Sequence, residues 1–254
     1  MSAARENLGR RLDGLGVLVA LILIWQLLHE WAGDVALTSP MTTISHALTL
    51  LDSARFWPHA WESLRALGLA LAIASTAGLG LGVWLGAHRL SGQVAEPLLI
   101  ALYSIPKVTL YPLILLVFGL GLSAKVAFGA IHGVIPIAIL TLNAVRAIKP
   151  VHLKTAKALR LTPWQAFAHV WLPAALPEIL AGQRVGFSLT LLGVLIGEMF
   201  ASQRGVGFLI MNAIGLNDVK QIMALVLMIA VVSVGVNVAL LALDRRVRRG
   251  ETGR

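Results

Sequence analysis

Six stretches of this chain, at roughly 15–31, 64–87, 98–122, 124–145, 179–201 and 222–243, run close to 20 apolar residues each with almost no charge. That length crosses a hydrocarbon core about 30 Å thick as an α-helix. In lipid the helix also satisfies its own backbone polar groups, which irregular structure cannot do. Only 13% of the residues are charged, against about 25% in a soluble domain. The expectation is an all-α integral membrane protein, with 1–254 forming one domain of six transmembrane helices. The first window is short and follows Arg10 and Arg11, as a secretory signal would. The following "HEWAGD" offers no clean cleavage site, so this window is read as a retained helix. Cysteine is absent, which excludes a disulfide framework, thiolate metal ligands and a cysteine nucleophile.

A net charge of +9 would suggest nucleic acid in a soluble protein. Its distribution says otherwise. With the N-terminus placed in the cytoplasm, fifteen Lys and Arg fall on the cytoplasmic side and five (Arg55, Arg65, Lys125, Arg204, Lys220) on the other. Basic residues accumulate in cytoplasmic loops. The charge therefore predicts both termini and the 146–178 loop inside, with no nucleic-acid partner. The Arg245–Arg249 run reads as an anchor at anionic head groups.

Between the first two windows lies a polar segment with a turn at Ser39-Pro40, then apolar residues at Ile44, Leu48 and Leu51. It reads either as a short surface helix or as a plain loop. In the second window Gly78, Gly82 and Gly86 recur every four residues. With no Lys-Ser/Thr after them they are no nucleotide loop, and they clear one helix face for a close neighbour. His132 lies mid-window and reads as an interhelical hydrogen bond. His29-Glu30 lacks the second His of a zinc helix, so no metal site is supported.

The least oily stretch is "KTAKALRLTPWQAFAHVWLPAALPEIL", residues 154–180. Thr155–Leu161 reads as a short helix followed by a turn. Thr162 is then an N-cap, Pro163 a first helical residue and Gln165 the partner in a capping box. A second helix passes Phe167 and Val170, and Leu172-Pro173 is expected to turn the chain back toward the fifth window. Such an element either lies on the inner leaflet or docks in a groove of a soluble partner.

Here the sequence resembles permease subunits of bacterial ABC importers. Their loop carries Glu-Ala-Ala, a Gly four residues on, and Ile-x-Leu-Pro. Lys154-Thr155-Ala156 stands at the first place, Arg160 at the Gly, and Val170-Trp171-Leu172-Pro173 at the last. The absent Gly puts the tight turn in question, and Lys154 removes an acidic contact. "LTSP", "SIPKVTLYPLILLVFGLGLSAKV" and "IGEMFASQRGVGFLI" are similar to the nitrate/sulfonate/taurine-type branch.

The resemblance implies a type I importer permease fold with a cytoplasmic coupling helix between helices four and five. It implies a homodimer of permease chains in the bacterial inner membrane, two cytoplasmic ATPase subunits beneath it, and an external solute-binding protein. No Walker sequence occurs, so ATP and Mg belong to the partner ATPase and this chain is neither an enzyme nor a cofactor carrier. Docking falls to Arg160, Leu161, Thr162, Pro163, Trp164, Gln165, Ala166, Phe167 and Ala168.

Lys107 lies within the third window, where an ammonium costs about 2.5–3.5 kcal/mol. Pro106 and Pro112 beside it break or kink the helix. One reading is that Lys107 attracts an anionic solute group, with Tyr103, Ser104, Thr109 and Tyr111 as polar lining and Glu198 further along the pathway. The other is a structural role, either an ion pair with Glu198 as the candidate partner or a fold-stabilising contact to a backbone carbonyl. Rival classes fit less well. A secondary transporter would show internal repeats and more buried ionisable groups. A membrane enzyme needs a catalytic cluster at membrane depth, and an exporter has other loop lengths. The solute stays open among sulfonates, taurine, nitrate, pyrimidine precursors and aromatic acids.

Overall fold

The computed structural model describes the backbone of residues 2–252, and the side chains of these except 2–13, 15, 153, 157, 163, 201 and 247–252. The side chains of Arg5, Arg10, Arg11, Arg248, Arg249 and Pro163, and Arg254 altogether, thus lie outside the described residues. The helices are α1 Ser2–Ala32, α2 Pro40–Asp52, α3 Phe56–Ala87, α4 Arg89–Ser104, α5 Tyr111–Phe118, α6 Leu122–Arg146, α7 Pro150–Ala158, α8 Pro163–Ala166, α9 Leu172–Ala201, α10 Val206–Gly215 and α11 Val219–Thr252. The chain divides into two compact units, Met1–Trp57 with Leu209–Val231, and Pro58–Phe208 with Val232–Arg254.

The larger unit is built on three helices that approach more closely than side chains normally allow. A Cβ on Gly78 would sit 2.8 Å from Ile137 Cβ, one on Gly82 2.5 Å from Thr141 Cβ, and one on Gly86 2.7 Å from Val145 Cβ. The glycine face of α3 therefore lies flat against α6, as the spacing predicts. Ala66, Ala70 and Ala74 continue the same face and are completely buried. The partners 137, 141 and 145 ascend with 78, 82 and 86, so α3 and α6 run parallel. Across α6, Gly129 meets Val194, Gly133 meets Thr190, and Gly182 meets Leu140, so α9 runs antiparallel to both.

Two parallel helices joined in sequence force the chain between them to return to the starting end. That return is α4 and α5, bent 82° to one another, which together make one broken crossing. The structure thus shows the break that Pro106 and Pro112 predict, and it corrects the bounds of the third window from 98–122 to 89–118. Pro106 has no N–H to continue α4, and it pushes Ile105 into extended backbone with ψ 131°, as a residue before proline prefers. Lys107–Leu110 form one 3₁₀ turn, and Pro112 opens α5 at its first turn. Gly119 and Gly121, at φ 70° and 125°, then reverse the chain into α6. Windows two, four, five and six each fall within a long apolar helix, and the first is the apolar half of α1, Gly16–Ala32.

In the smaller unit the polar segment does contain a helix, α2. Ser39 caps it, its hydroxyl accepting from the Thr42 N–H at 3.2 Å, with Pro40 in the first turn. The "LTSP" stretch is tied to α1 by Trp25 Nε1, which donates to the Thr38 carbonyl at 3.0 Å. In the larger unit His132 on α6 finds its partner within its own helix, the Phe128 carbonyl at 2.8 Å, instead of the interhelical bond expected.

The α3–α6 contact is open to a paired test. Gly82→Val forces a side chain into Thr141 and should cost about 1–3 kcal/mol, as overpacking usually does. Gly80→Val, whose Cβ would meet nothing within 4 Å, should stay within about 0.5 kcal/mol. Thermal unfolding of the two variants in detergent compares them directly.

Candidate functional site

The connection between α6 and α9 stays at one end of the three-helix core, because those helices are antiparallel. It begins with α7, which closes as a Schellman turn: the Leu161 N–H donates to the Ala156 carbonyl at 3.1 Å. The residue in the left-handed position is Arg160, at φ 48°. The tight turn that a glycine would favour is therefore kept without one, at a cost of roughly 1–2 kcal/mol in backbone strain. The next helix opens with the expected capping box. The Thr162 N–H donates to Gln165 Oε1 at 3.0 Å, and the Gln165 N–H donates to Thr162 Oγ1 at 3.3 Å.

Beyond it the structure overturns one expectation: Leu172-Pro173 does not turn the chain. The helix widens into a π turn at Phe167–Trp171, where the Leu172 N–H reaches back to the Phe167 carbonyl, and then runs on as α9. A proline inside an α-helix clashes with the carbonyl four residues earlier, here that of His169, and the wider turn just before Pro173 removes that conflict. Trp164–Phe200 is thus one helix of 37 residues, about 55 Å long at 1.5 Å per residue. At its tip Trp164 is 73% exposed and stacks on Phe167 at 5.8 Å between ring centroids. Leu159, next to Arg160, and Val151, in the first turn of α7, are exposed as well. Arg160, Thr162 and Gln165 are also exposed, Leu161, Phe167 and Ala168 are half-buried, and Ala166 is buried against the protein.

The residues around the broken crossing do not form one group. Tyr103, Ser104 and Thr109 are exposed and Lys107 is half-buried. Lys107 Nζ donates to the Tyr103 carbonyl at 3.1 Å and lies 4.6 Å from the Tyr103 ring centroid. The Ser104 and Thr109 hydroxyls donate to the carbonyls of Ile100 and Pro106. Tyr111 is separate: it is buried, its hydroxyl donates to the Gly197 carbonyl at 2.7 Å, and its ring meets Phe128 edge-on. Glu198 is fully buried and makes no pair with Lys107. Both Tyr111 and Glu198 are buried and link neighbouring helices.

At the core's opposite end Glu198 organises a cluster to which the sequence pattern gives no pointer. Ser63 Oγ lies 2.8 and 2.7 Å from its two carboxylate oxygens, and the Gly207 N–H donates to it at 2.9 Å. The Val206 N–H donates to Ser63 Oγ at 2.7 Å, and the Gly205 N–H to His59 Nδ1 at 3.2 Å. Lys125, with its side chain 2% exposed, is 3.1 Å from Glu62 Oε1 and donates to the Arg204 carbonyl at 2.8 Å. Gly205, at φ 128°, is required here, since a Cβ would overlap the Glu198 carboxylate. The segment 202–207 is thus pinned to α3, α6 and α9 together. Beside it opens a cleft of about 560 Å³ lined by Glu62, Gly121, Lys125, Ser202 and Arg204 among others.

Residues 78–250, which include the three-helix core from Gly78 onward, the exposed loop and most of α11, match the family of binding-protein-dependent transport system inner membrane components. The chain belongs to that family. The permease is similar to the riboflavin transport system permease of Chloroflexus aurantiacus, 33% identical over 241 residues covering 94% of this chain and 90% of the relative. It is similar to the taurine transport system permease of Escherichia coli, at 26% over 91% and 87%. The nitrate import permease of Leptolyngbya laminosa is also similar, at 26% over 85% and 80%. Among solved structures, a chain of a methionine ABC transporter in inward-facing conformations superposes with a TM-score of 0.67 at 18% identity, covering 76% of this chain and 97% of the other. The shared fold is that of a type I importer permease, all-helical and multi-pass in the membrane.

Two substitutions test the local geometry. Arg160→Gly should raise stability by about 0.5–1 kcal/mol by releasing left-handed strain, partly offset by the freer unfolded chain. Arg160→Val should lower it, and both shifts read out as melting temperature. Ser63→Ala leaves the Val206 N–H and a Glu198 oxygen without a partner, at about 1–3 kcal/mol. Amide hydrogen exchange at 204–208 should accelerate in that variant while exchange in α7 stays unchanged.

Proposed function

We propose that this permease, as a homodimer, forms the translocation pathway of an ATP-driven importer for a small oxyanion of the sulfonate, taurine or nitrate kind. The observation that carries the coupling is the single helix Trp164–Phe200. At about 55 Å it is longer than the hydrocarbon core, about 30 Å, and its surplus ends in the exposed aromatic tip and the rigid Arg160–Gln165 turn. A helix resting on a leaflet needs no such continuity with a span. The tip therefore docks on a separate ATPase, where ATP and Mg bind and hydrolysis occurs. Arg160, Leu161, Thr162, Pro163, Trp164, Gln165, Phe167 and Ala168 form or support that surface.

The positive charge around this loop supports a cytoplasmic position for it and both termini, with the Glu198 end outward toward a solute-binding protein. Lys107, at the break in the α4–α5 crossing, is the cation that a passing anion meets, with Tyr103, Ser104 and Thr109 beside it. The taurine and nitrate permeases among the relatives favour anions. The riboflavin relative favours a second reading, a larger heteroaromatic solute.

Trp164→Glu places a charge on the tip and should cut capture of the partner ATPase by roughly 30-fold, as loss of a central aromatic anchor does. Undiminished capture would move docking away from this helix. In proteoliposomes carrying the complete transporter, taurine or nitrate uptake should require ATP, and Lys107→Met should lower it while ATPase capture stays normal. Riboflavin uptake with no anion uptake would establish the second reading.

A further inference from the structure

Of the charged side chains that line the cleft at the Glu198 end, two are basic, Lys125 and Arg204, and one is acidic, Glu62, while the Glu198 carboxylate is buried behind them. Lys125 is neutralised by Glu62 at 3.1 Å. Arg204, on the same wall, forms no ion pair among the described residues. The cleft of about 560 Å³ is within the 300–1,000 Å³ range of small-molecule sites, and it carries one uncompensated guanidinium.

The backbone beneath that guanidinium is fixed on both sides. The Arg204 N–H donates to Ser202 Oγ at 3.1 Å, and its carbonyl receives Lys125 Nζ at 2.8 Å. The next two amides are held by His59 and Ser63, and Ser63 in turn by Glu198. Such a frame presents the side chain from a constant position, which lowers the ordering cost of binding. A guanidinium offers paired donors that match planar and tetrahedral oxyanions. As a minor contribution, α6 begins beside Gly121 with no side-chain cap, so the positive end of its dipole adds to the same field.

We propose that this cleft is an oxyanion-binding subsite, with Arg204 as its contact residue, Lys125–Glu62 as its neutral wall and Glu198–Ser63 as the frame that positions it. Its ligand is a small sulfonate-type anion held on the outer side before it enters the membrane. The proposal rests on the orientation and solute class given under Proposed function. It adds a site distinct from Lys107, on different helices and at the end of the core that Glu198 occupies.

The test uses the full permease chain in lipid nanodiscs without ATP, with ethanesulfonate as probe and ethylammonium as its cationic counterpart, read by saturation-transfer NMR. Wild-type protein should saturate ethanesulfonate and not ethylammonium. Arg204→Gln, which leaves every backbone bond of the frame in place, should weaken the ethanesulfonate signal roughly tenfold. Arg55→Gln, at an exposed arginine outside the cleft, should leave it unchanged. Equal signals from wild type and Arg204→Gln, or no preference of the wild type for the anion, would overturn the site. Because the assay needs neither ATPase nor transport, that failure is separate from a failure of ATPase capture or ATP-dependent uptake, which would count against the importer reading instead.

Discussion

Everything in the larger unit depends on the absence of side-chain atoms along two helix faces. In lipid no hydrophobic force drives helices together, so association relies on close van der Waals contact. Gly78, Gly82 and Gly86 on α3, and Gly129 and Gly133 on α6, let three backbones approach until Ile137, Thr141, Val145, Thr190 and Val194 fill the space the missing Cβ atoms leave. This contact makes α3 and α6 parallel. Parallelism then dictates that 88–121 must cross, while the antiparallel contact of α6 with α9 keeps 147–171 at one end and puts 202–207 at the other. The two functional regions occupy opposite ends for this reason.

Those ends are stiffened by different means. At the loop end most links are local, a Schellman turn and a capping box, joined by one ion pair between Arg146 and Glu96, 2.6 Å apart, that ties α4 to the end of α6. At the other end they are long-range and polar. One buried carboxylate collects groups from α3 and from the segment after α9, and Lys125 adds α6. A buried carboxylate is costly unless its oxygens are satisfied. The Gly207 N–H and the Ser63 hydroxyl provide that satisfaction.

Much of this was legible in the sequence because it rests on periodicity and on local turn chemistry. The glycine face of α3, the Thr162–Gln165 box and the helix after Ser39-Pro40 are all encoded within a few residues of themselves. The Glu198 cluster was not legible, since Ser63, Lys125 and Gly207 are brought together only by the packing of distant helices, and the sequence marks Glu198 only as a candidate for the pathway or for a pair with Lys107. Of the structural readings of Lys107, the contact to a backbone carbonyl is the one present, to Tyr103, and a pair with Glu198 is not, since Glu198 is taken up by Ser63 and Gly207 on other helices. Pro173 did mislead. A proline ordinarily ends a helix, but a π turn upstream lets the helix pass through it.

That π turn carries a consequence of its own. An α-helix advances about 100° per residue, so the direction in which Trp164 points is fixed by the number of residues between it and the Glu198 cluster. A π turn inserts one residue into that count without adding a full step of rise. The tip and the far end are therefore set in rotational register by a single wide turn, in the way a key is cut to engage a lock at one angle. Forcing Phe167–Trp171 into regular helix with no residue removed would leave both ends chemically intact and swing the aromatic face about a quarter-turn away from whatever it meets.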